Sequence, residues 1–339
     1  MPTLYNDEFL SKDGKVLDSM LNENLCEGWL EGYVLTGRHG IFASYEAFIR
    51  VIDAMASQHA KWLKVTSNIK WRKPIPSLNL ILTSNVWQQD HNGYTHQEPG
   101  FIDHIANKKL ENINIFLPPD ANTLLVTIDN ILRTSQKINV VVASKHPRDQ
   151  WLTLEQAQTH FEKGIGIWDF ASNDNLEDPD IVLACCGDTP TLEALAATTI
   201  IKEYLNIKIR FINVINLLKL KTMSNEEYDN LFTKDKPIVF VNHGYTGLIK
   251  QLIFERTNKN IKILGYMEEG TITTPFDMRV QNKIDRFNIT KEMIKKLPNL
   301  ENKKAHILND MDNKLIEHNR YIREYGIDME EIRNWKWKK

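Results

Sequence analysis

Three observations in the sequence predict an α/β fold built on parallel sheets. Short apolar runs rich in Val, Ile and Leu alternate with helical stretches along most of the chain. The most polar clusters follow those runs directly, where a parallel sheet keeps its working residues. At 339 residues, the chain is long enough for two domains with substantial cores.

In chain order, "NENLCEGWLEGY" reads as a helix with Glu23, Glu27 and Glu31 on one face, interleaved with Cys26, Trp29, Leu30 and Tyr33. Three such charges normally mark a solvated surface, but the apolar neighbours allow one glutamate to be partly buried, where it must find a partner or take a proton. "GRHG" at 37–40 reads as a turn before the helix "SYEAFIRVIDAMASQHAKWL", and its glycines would let backbone approach a ligand closely. Phe42, Tyr45 and Phe48 recur every three residues and are expected on one face, as core or as a wall for a planar ring. "LNLILTSNVW", "NINIFL" and "INVVVAS" are strand candidates. Asp120 is placed to cap the helix after the second, and Thr153 and Gln156 have capping-box spacing. The irregular segment 164–179 is expected to link two domains. Beyond it come four more strand candidates: "DIVLACCGD", "IKIRFINVI", "KPIVFVNHG" and "NIKILGYM". The helix after the first of them is expected to start with Thr189 as N-cap and Pro190 at its first position.

Composition excludes several classes of function. Hydrophobic residues make up 42% and charged residues 25%, as in ordinary globular protein. A net charge of -2 carries no basic excess for nucleic acid. No apolar run approaches the roughly 18 residues that span a bilayer. The polar, acidic start "MPTLYNDEFLSKDGK" is read as neither a signal nor a transit peptide. Cys26, Cys185 and Cys186 have neither metal nor disulfide spacing, which fits a reducing cytoplasm.

The stretch "QDHNGYTHQEPG" concentrates hydrogen-bonding and proton-transfer groups at 89–100. His91 and His96 are five apart in a Gly/Pro loop, which matches no standard zinc pattern. A polar turn is one reading. The other is a site for proton transfer or substrate binding, since imidazoles exchange protons near neutral pH. "GDTPT" begins like the GDG motif that binds a metal and a diphosphate, but it lacks the second glycine and fits a plain helix start.

In order and spacing, "CEGWLEGYVLTGRHG", "SYEAF", "HAKW", "WRKP", "VWQQDHNGYTHQEPG", "PPDANT", "ASKHPRDQW", "CCGDTPTLEALAA" and "EEGTITTPFDM" resemble the phosphoketolases, from about residue 10 to about residue 335. The resemblance implies two three-layer α/β domains with parallel or mixed sheets. The first, over 1–163, is a partial pyrimidine-binding domain of the thiamine-diphosphate enzymes; the second, over 180–339, is of the transketolase C-terminal type. It implies cleavage of xylulose 5-phosphate or fructose 6-phosphate by inorganic phosphate, giving acetyl phosphate and an aldose phosphate, with thiamine diphosphate and Mg²⁺ as cofactors. The diphosphate domain, with its metal ligands, falls outside the match. The chain alone is therefore expected to be inactive, and to work as a homodimer or with a chain that carries that domain. A remnant that keeps the fold without turnover is the alternative.

By the same resemblance, Glu23 is the carboxyl that hydrogen-bonds the cofactor's pyrimidine, and Phe42, Tyr45 and Phe48 form the aromatic wall around it. Gln89, His91, Asn92 and His96 hold the sugar phosphate, with Glu23, His91 and His96 as the catalytic set. Lys145 faces the phosphate group, and His39 is a weaker candidate. Departures from the family pattern are Asn24, where histidine is usual, the segment near Thr246, Gly247 and Lys250, and "MRVQNKIDRF".

Overall fold

In the computed structural model, which describes residues 17–108, 110–298 and 300–338, two sheets stand in sequence. The expectation for the first fifteen residues lies outside the described residues. The first half runs α1 (Glu23–Leu35), β1 (Ile41–Tyr45), α2 (Asp53–Thr66), β2 (Leu78–Thr83), α3 (Phe101–Ala106), β3 (Ile113–Phe116), α4 (Ala121–Leu132), β4 (Ile138–Val142) and α5 (Leu154–Lys163). Its four strands are parallel, in the order β1-β2-β4-β3.

The second half runs β5 (Ile165–Ile167), β6 (Ile181–Cys185), α6 (Asp188–Tyr204), β7 (Ile209–Val214), α7 (Lys219–Thr222), α8 (Asn225–Phe232), β8 (Ile238–Tyr245), α9 (Thr246–Ile253), β9 (Ile261–Tyr266), α10 (Pro275–Gln281), α11 (Arg286–Lys296), α12 (Glu301–Tyr325) and α13 (Glu330–Arg333). Its order is β5-β7-β6-β8-β9, with only β5 antiparallel. This is the expected α/β class with one parallel and one mixed sheet. No described helix is long and apolar enough to cross a membrane.

The seven apolar runs form strands, and β4, β6 and β7, covered on both faces, are buried at every position, while the edge strand β9 keeps Lys262 exposed. One continuous core joins the sheets, from Leu80 and Val140 to Val182, Ile212 and Phe240. Backbone bonds stitch them as well: Leu117 N–H donates to Ile215 O (2.8 Å) and Leu217 N–H to Ile115 O (2.9 Å).

Three local expectations are corrected. Residues 41–45, expected to lie between a turn at 37–40 and a helix from Ser44 and to include its start, form the edge strand β1. Along a strand Phe42 and Tyr45 face opposite ways, so Phe42 is buried in the core and Tyr45 is exposed. The segment 164–179 is not a free linker. Gly164, at φ 72°, ends α5 in the left-handed region and turns the chain straight into β5, which pairs with β7. Helix α6 begins at Asp188 behind Gly187, before the expected Thr189 cap, and the Asp188 carboxylate accepts the Thr189 N–H (2.6 Å).

The expected caps are present. Thr153 and Gln156 form a full capping box on α5. Asp120 accepts Thr123 N–H (2.8 Å) with one oxygen, and Trp151 N–H (3.0 Å) and Leu152 N–H (2.9 Å) with the other. Asp120→Ala leaves these donors unpartnered and is expected to cost about 2–3 kcal/mol in urea unfolding. A loss below about 0.5 kcal/mol would show that the cap is dispensable.

Candidate active site

The carboxyl ends of the two sheets face each other across a buried polar junction. Glu46, just past β1, and His243, near the end of β8, are joined by a 2.7 Å bond between Oε1 and Nε2, and both are essentially excluded from solvent. The other Glu46 oxygen accepts the Val86 N–H (2.7 Å), and Trp87 Nε1–H donates to His243 O (3.0 Å). The start of the loop after β2 is thus held from both sheets. Burial pulls the His243 imidazolium down, but Glu46, Asp188 and Asp103 together hold it above its ordinary value. Beside it, Asp188 accepts from Asn85 Nδ2 (3.2 Å) and Arg148 Nε (2.6 Å). Burial pushes Asp188 up, yet Arg148 and His243 prevail and hold it below the usual carboxylate range. Asp103 lacks such a partner, and burial raises it to about 6.

From this anchor the loop 84–100 folds on itself. Gln89 is fully buried and its amide is used internally: Nε2–H donates to Ser84 O (2.7 Å) and Oε1 accepts Asn92 Nδ2–H (2.8 Å). It therefore braces the loop, whereas the sequence suggested a ligand contact. Asn92 also lies 3.2 Å from His91 Nε2, and His91 is exposed with Nδ1 3.8 Å from Asp90. Gln97 Nε2–H closes the turn on Gln89 O (2.9 Å). The second sheet holds the far side, where Tyr266 O–H donates to Gln97 O (2.9 Å) and Thr273 N–H to Asp90 O (3.0 Å).

Four of the expected site residues form one continuous wall. Tyr45 and Phe48 are stacked with centroids 5.9 Å apart and planes 10° apart. His96 meets Phe48 edge-on at 4.9 Å, with its Nδ1 on Thr95 Oγ1 (2.8 Å). Lys145 Nζ lies 5.5 Å from the Tyr45 ring centroid. Glu23 is half-buried at the first position of α1, and the next residue, Asn24, donates to Val51 O (3.2 Å), which ties this end of the helix to the turn after Phe48. Phe42 does not join the wall, and His39 is exposed.

The sequence models of D-xylulose 5-phosphate/D-fructose 6-phosphate phosphoketolase and of the XFP C-terminal domain match residues 2–134 and 145–337. The chain belongs to the phosphoketolase family. It is 61% identical to a "Probable phosphoketolase" of Clostridium acetobutylicum and 54% identical to one of Gloeobacter violaceus, in each case over 98% of this chain and 43% of the relative. The chain thus spans under half the length of these relatives. In fold it is similar to a Pichia stipitis transketolase (TM-score 0.64, 14% identity, 81% of this chain and 36% of that one). It is also similar to a chain described as "Split gene transketolase, inactive beta4 tetramer" (TM-score 0.53, 13% identity, 82% of each chain).

Glu46, Asn85, Arg148, Asp188 and His243 were not singled out by sequence. All but His243 lie in or beside stretches that resemble the phosphoketolases, but nothing local pairs them, since Glu46 and His243 are 197 residues apart. Arg148→Met strands the buried Asp188 carboxylate and is expected to cost about 3 kcal/mol at pH 7 in denaturant unfolding. A depressed carboxyl adds stability above its unfolded pKa and loses it as pH falls through the folded one. The penalty should therefore persist across the ordinary carboxylate range and shrink only as pH falls below it, through the depressed pKa of Asp188. A pH-independent penalty would contradict the pairing.

Proposed function

We propose that this phosphoketolase-family chain supplies the pyrimidine-facing side of a thiamine-diphosphate site. Joined to the family's diphosphate-binding portion, it cleaves xylulose 5-phosphate or fructose 6-phosphate with inorganic phosphate. The products are acetyl phosphate and glyceraldehyde 3-phosphate or erythrose 4-phosphate. The observation that carries this reading is the wall of Tyr45, Phe48, His96 and Lys145, which sets a flat aromatic face beside an imidazole and an ammonium.

The residues fit one end of the cofactor. The parallel Tyr45 and Phe48 rings offer planar faces to its pyrimidine, and Glu23, at the start of α1, is assigned the carboxyl that meets it. For the other end, no group of three or more His, Cys, Asp or Glu able to hold a metal ion occurs among the described residues, and Asp188 of "GDTPT" is engaged by Arg148. Contacts to Mg²⁺ and the diphosphate are therefore assigned outside the described residues, to the same polypeptide or a partner chain.

When bound, thiamine diphosphate supplies a nucleophilic carbon and accepts the electrons released as the ketose bond breaks. Glu23 holds a proton at its carboxyl against a ring nitrogen. His96, with Nδ1 on Thr95, presents Nε2 for proton transfer, and exposed His91 does the same from the loop's other turn. Asn92 is oriented by Gln89 towards the same space. Lys145 supplies a point charge for the phosphate group. The exposed apolar stripe Leu25, Trp29 and Tyr33 on α1, with Ile41 and Val51 nearby, supports assembly through this face as a homodimer or with the diphosphate-bearing chain. Three unbridged cysteines, two of them buried, are consistent with the cytoplasm.

In the complete assembly, acetyl phosphate is expected from wild type, and Glu23→Gln should lower its formation by about 10²-fold or more. Lys145→Met should raise KM for the phosphorylated ketose about tenfold with a smaller change in kcat. No acetyl phosphate from the wild-type assembly, or an undiminished rate in Glu23→Gln, would refute the proposal and favour a fold-keeping remnant. Sedimentation should find the chain associated, and a clean monomer would count against the α1 interface.

A further inference from the structure

Behind Glu23, helix α1 carries two more acids at four-residue intervals, so the three carboxyls share one helical face. Glu27 is fully buried, and no donor reaches either of its oxygens. Glu31, 7% exposed, touches Glu27 on one side. On the other, its Oε1 lies 3.1 Å from Nδ1 of His59, a fully buried side chain of α2, as a charge contact rather than an aligned hydrogen bond. Two neighbouring carboxyls, with no other donor on the buried one, resist being ionised together, and a hydrogen bond between them forms only when one of them is protonated.

Among the described residues, the neighbouring elements offer no other neutralising charge. Strands β1 and β2 carry no charged residue. In the adjoining turn, Arg50 is engaged by Asp53 and Glu98. On α2, Lys61 and Lys64 are exposed, which leaves His59 as the basic group facing the pair. Burial first, and Glu31 second, push the Glu27 carboxyl up to about 8. A carboxyl raised in the folded state makes the fold bind an extra proton. Stability therefore declines as pH rises from the ordinary carboxylate range to about 8. Such an acid weakens the helix that carries it, so its place in the fold points to a use.

We propose that Glu27, backed by Glu31 and His59, is a positioning residue for Glu23. It holds a proton in the dry interior one helical turn behind the cofactor-facing carboxyl and keeps that face of α1 at a fixed charge. The inference rests on the role proposed for Glu23. While Glu27 is neutral, it places no buried charge one helical turn behind Glu23. Once Glu27 ionises, its negative charge repels Glu31, which loosens the start of α1 and with it the placement of Glu23.

Two measurements test this separately. Infrared spectra of the full chain labelled with ¹³C-glutamate, without cofactor, are expected to show a protonated carboxyl band at pH 7. That band should fade with a midpoint of about 8, vanish in Glu27→Gln and persist in Glu23→Gln. In the complete assembly, kcat/KM is expected to fall on an alkaline limb near the same pH. Glu27→Gln, neutral at every pH, should move that limb up by about one unit or more. Absence of the band at pH 7, or its survival in Glu27→Gln, overturns the buried proton. A band that behaves as expected, with a limb unmoved in Glu27→Gln, overturns the positioning role. An assembly inactive at every pH refutes the role of Glu23, and the positioning role with it, while the infrared band still reports the proton on Glu27.

Discussion

The bond between Glu46 and His243 is the constraint on which the rest of the arrangement depends. It joins the end of the first sheet's edge strand to a central strand of the second, at a depth where neither group meets water. An unpaired charge there would cost several kcal/mol, so the two sheets are favoured in the one alignment that brings these side chains together. Because Glu46 also holds Val86 N–H, and His243 O holds the Trp87 indole, the same alignment fixes where the loop 84–100 begins. The site is therefore a product of sheet packing as much as of loop sequence.

From that anchor, distances propagate to the wall. Glu46 follows Tyr45 and precedes Phe48 by two residues, so fixing its carboxylate orients both rings. Gln89 and Gln97 tie the loop internally, and Tyr266 and Thr273 hold its far side from the second sheet. His96 then meets Phe48, and Lys145, whose backbone N–H is held by Gln88 Oε1 (3.0 Å), meets Tyr45. A parallel sheet collects such groups because all its strands end on the same edge. Here two sheets present those edges to each other, so residues far apart in sequence share a few ångströms of space.

Much of this was legible in sequence, for local reasons. Long apolar runs identified seven strands, since a strand buried on both faces tolerates little else. Asp120, Thr153 and Gln156 announced helix starts through contacts that span only three residues. The misreadings had equally physical causes. "IFASY" is an edge strand with one face in the core, short enough for a period of three to mimic a helix, and this put Phe42 on the wrong side. β5 is three residues long and is defined by its partner β7. Gln89 lies in the loop 84–100, but whether its amide points outward or inward depends on how the loop closes. The Glu46–His243 pair has no local signature at all. The acidic stripe of α1 was visible, but which of its members lies buried follows only from how α1 packs.

This single buried contact couples the two sheets and hence holds the start of the loop 84–100. A double-mutant cycle on Glu46→Met and His243→Leu, followed by urea unfolding, tests it directly. Each single change is expected to cost about 3 kcal/mol, and the double mutant to be less damaged than the sum by about 2 kcal/mol or more. Additive losses, with no coupling between the two positions, would contradict it.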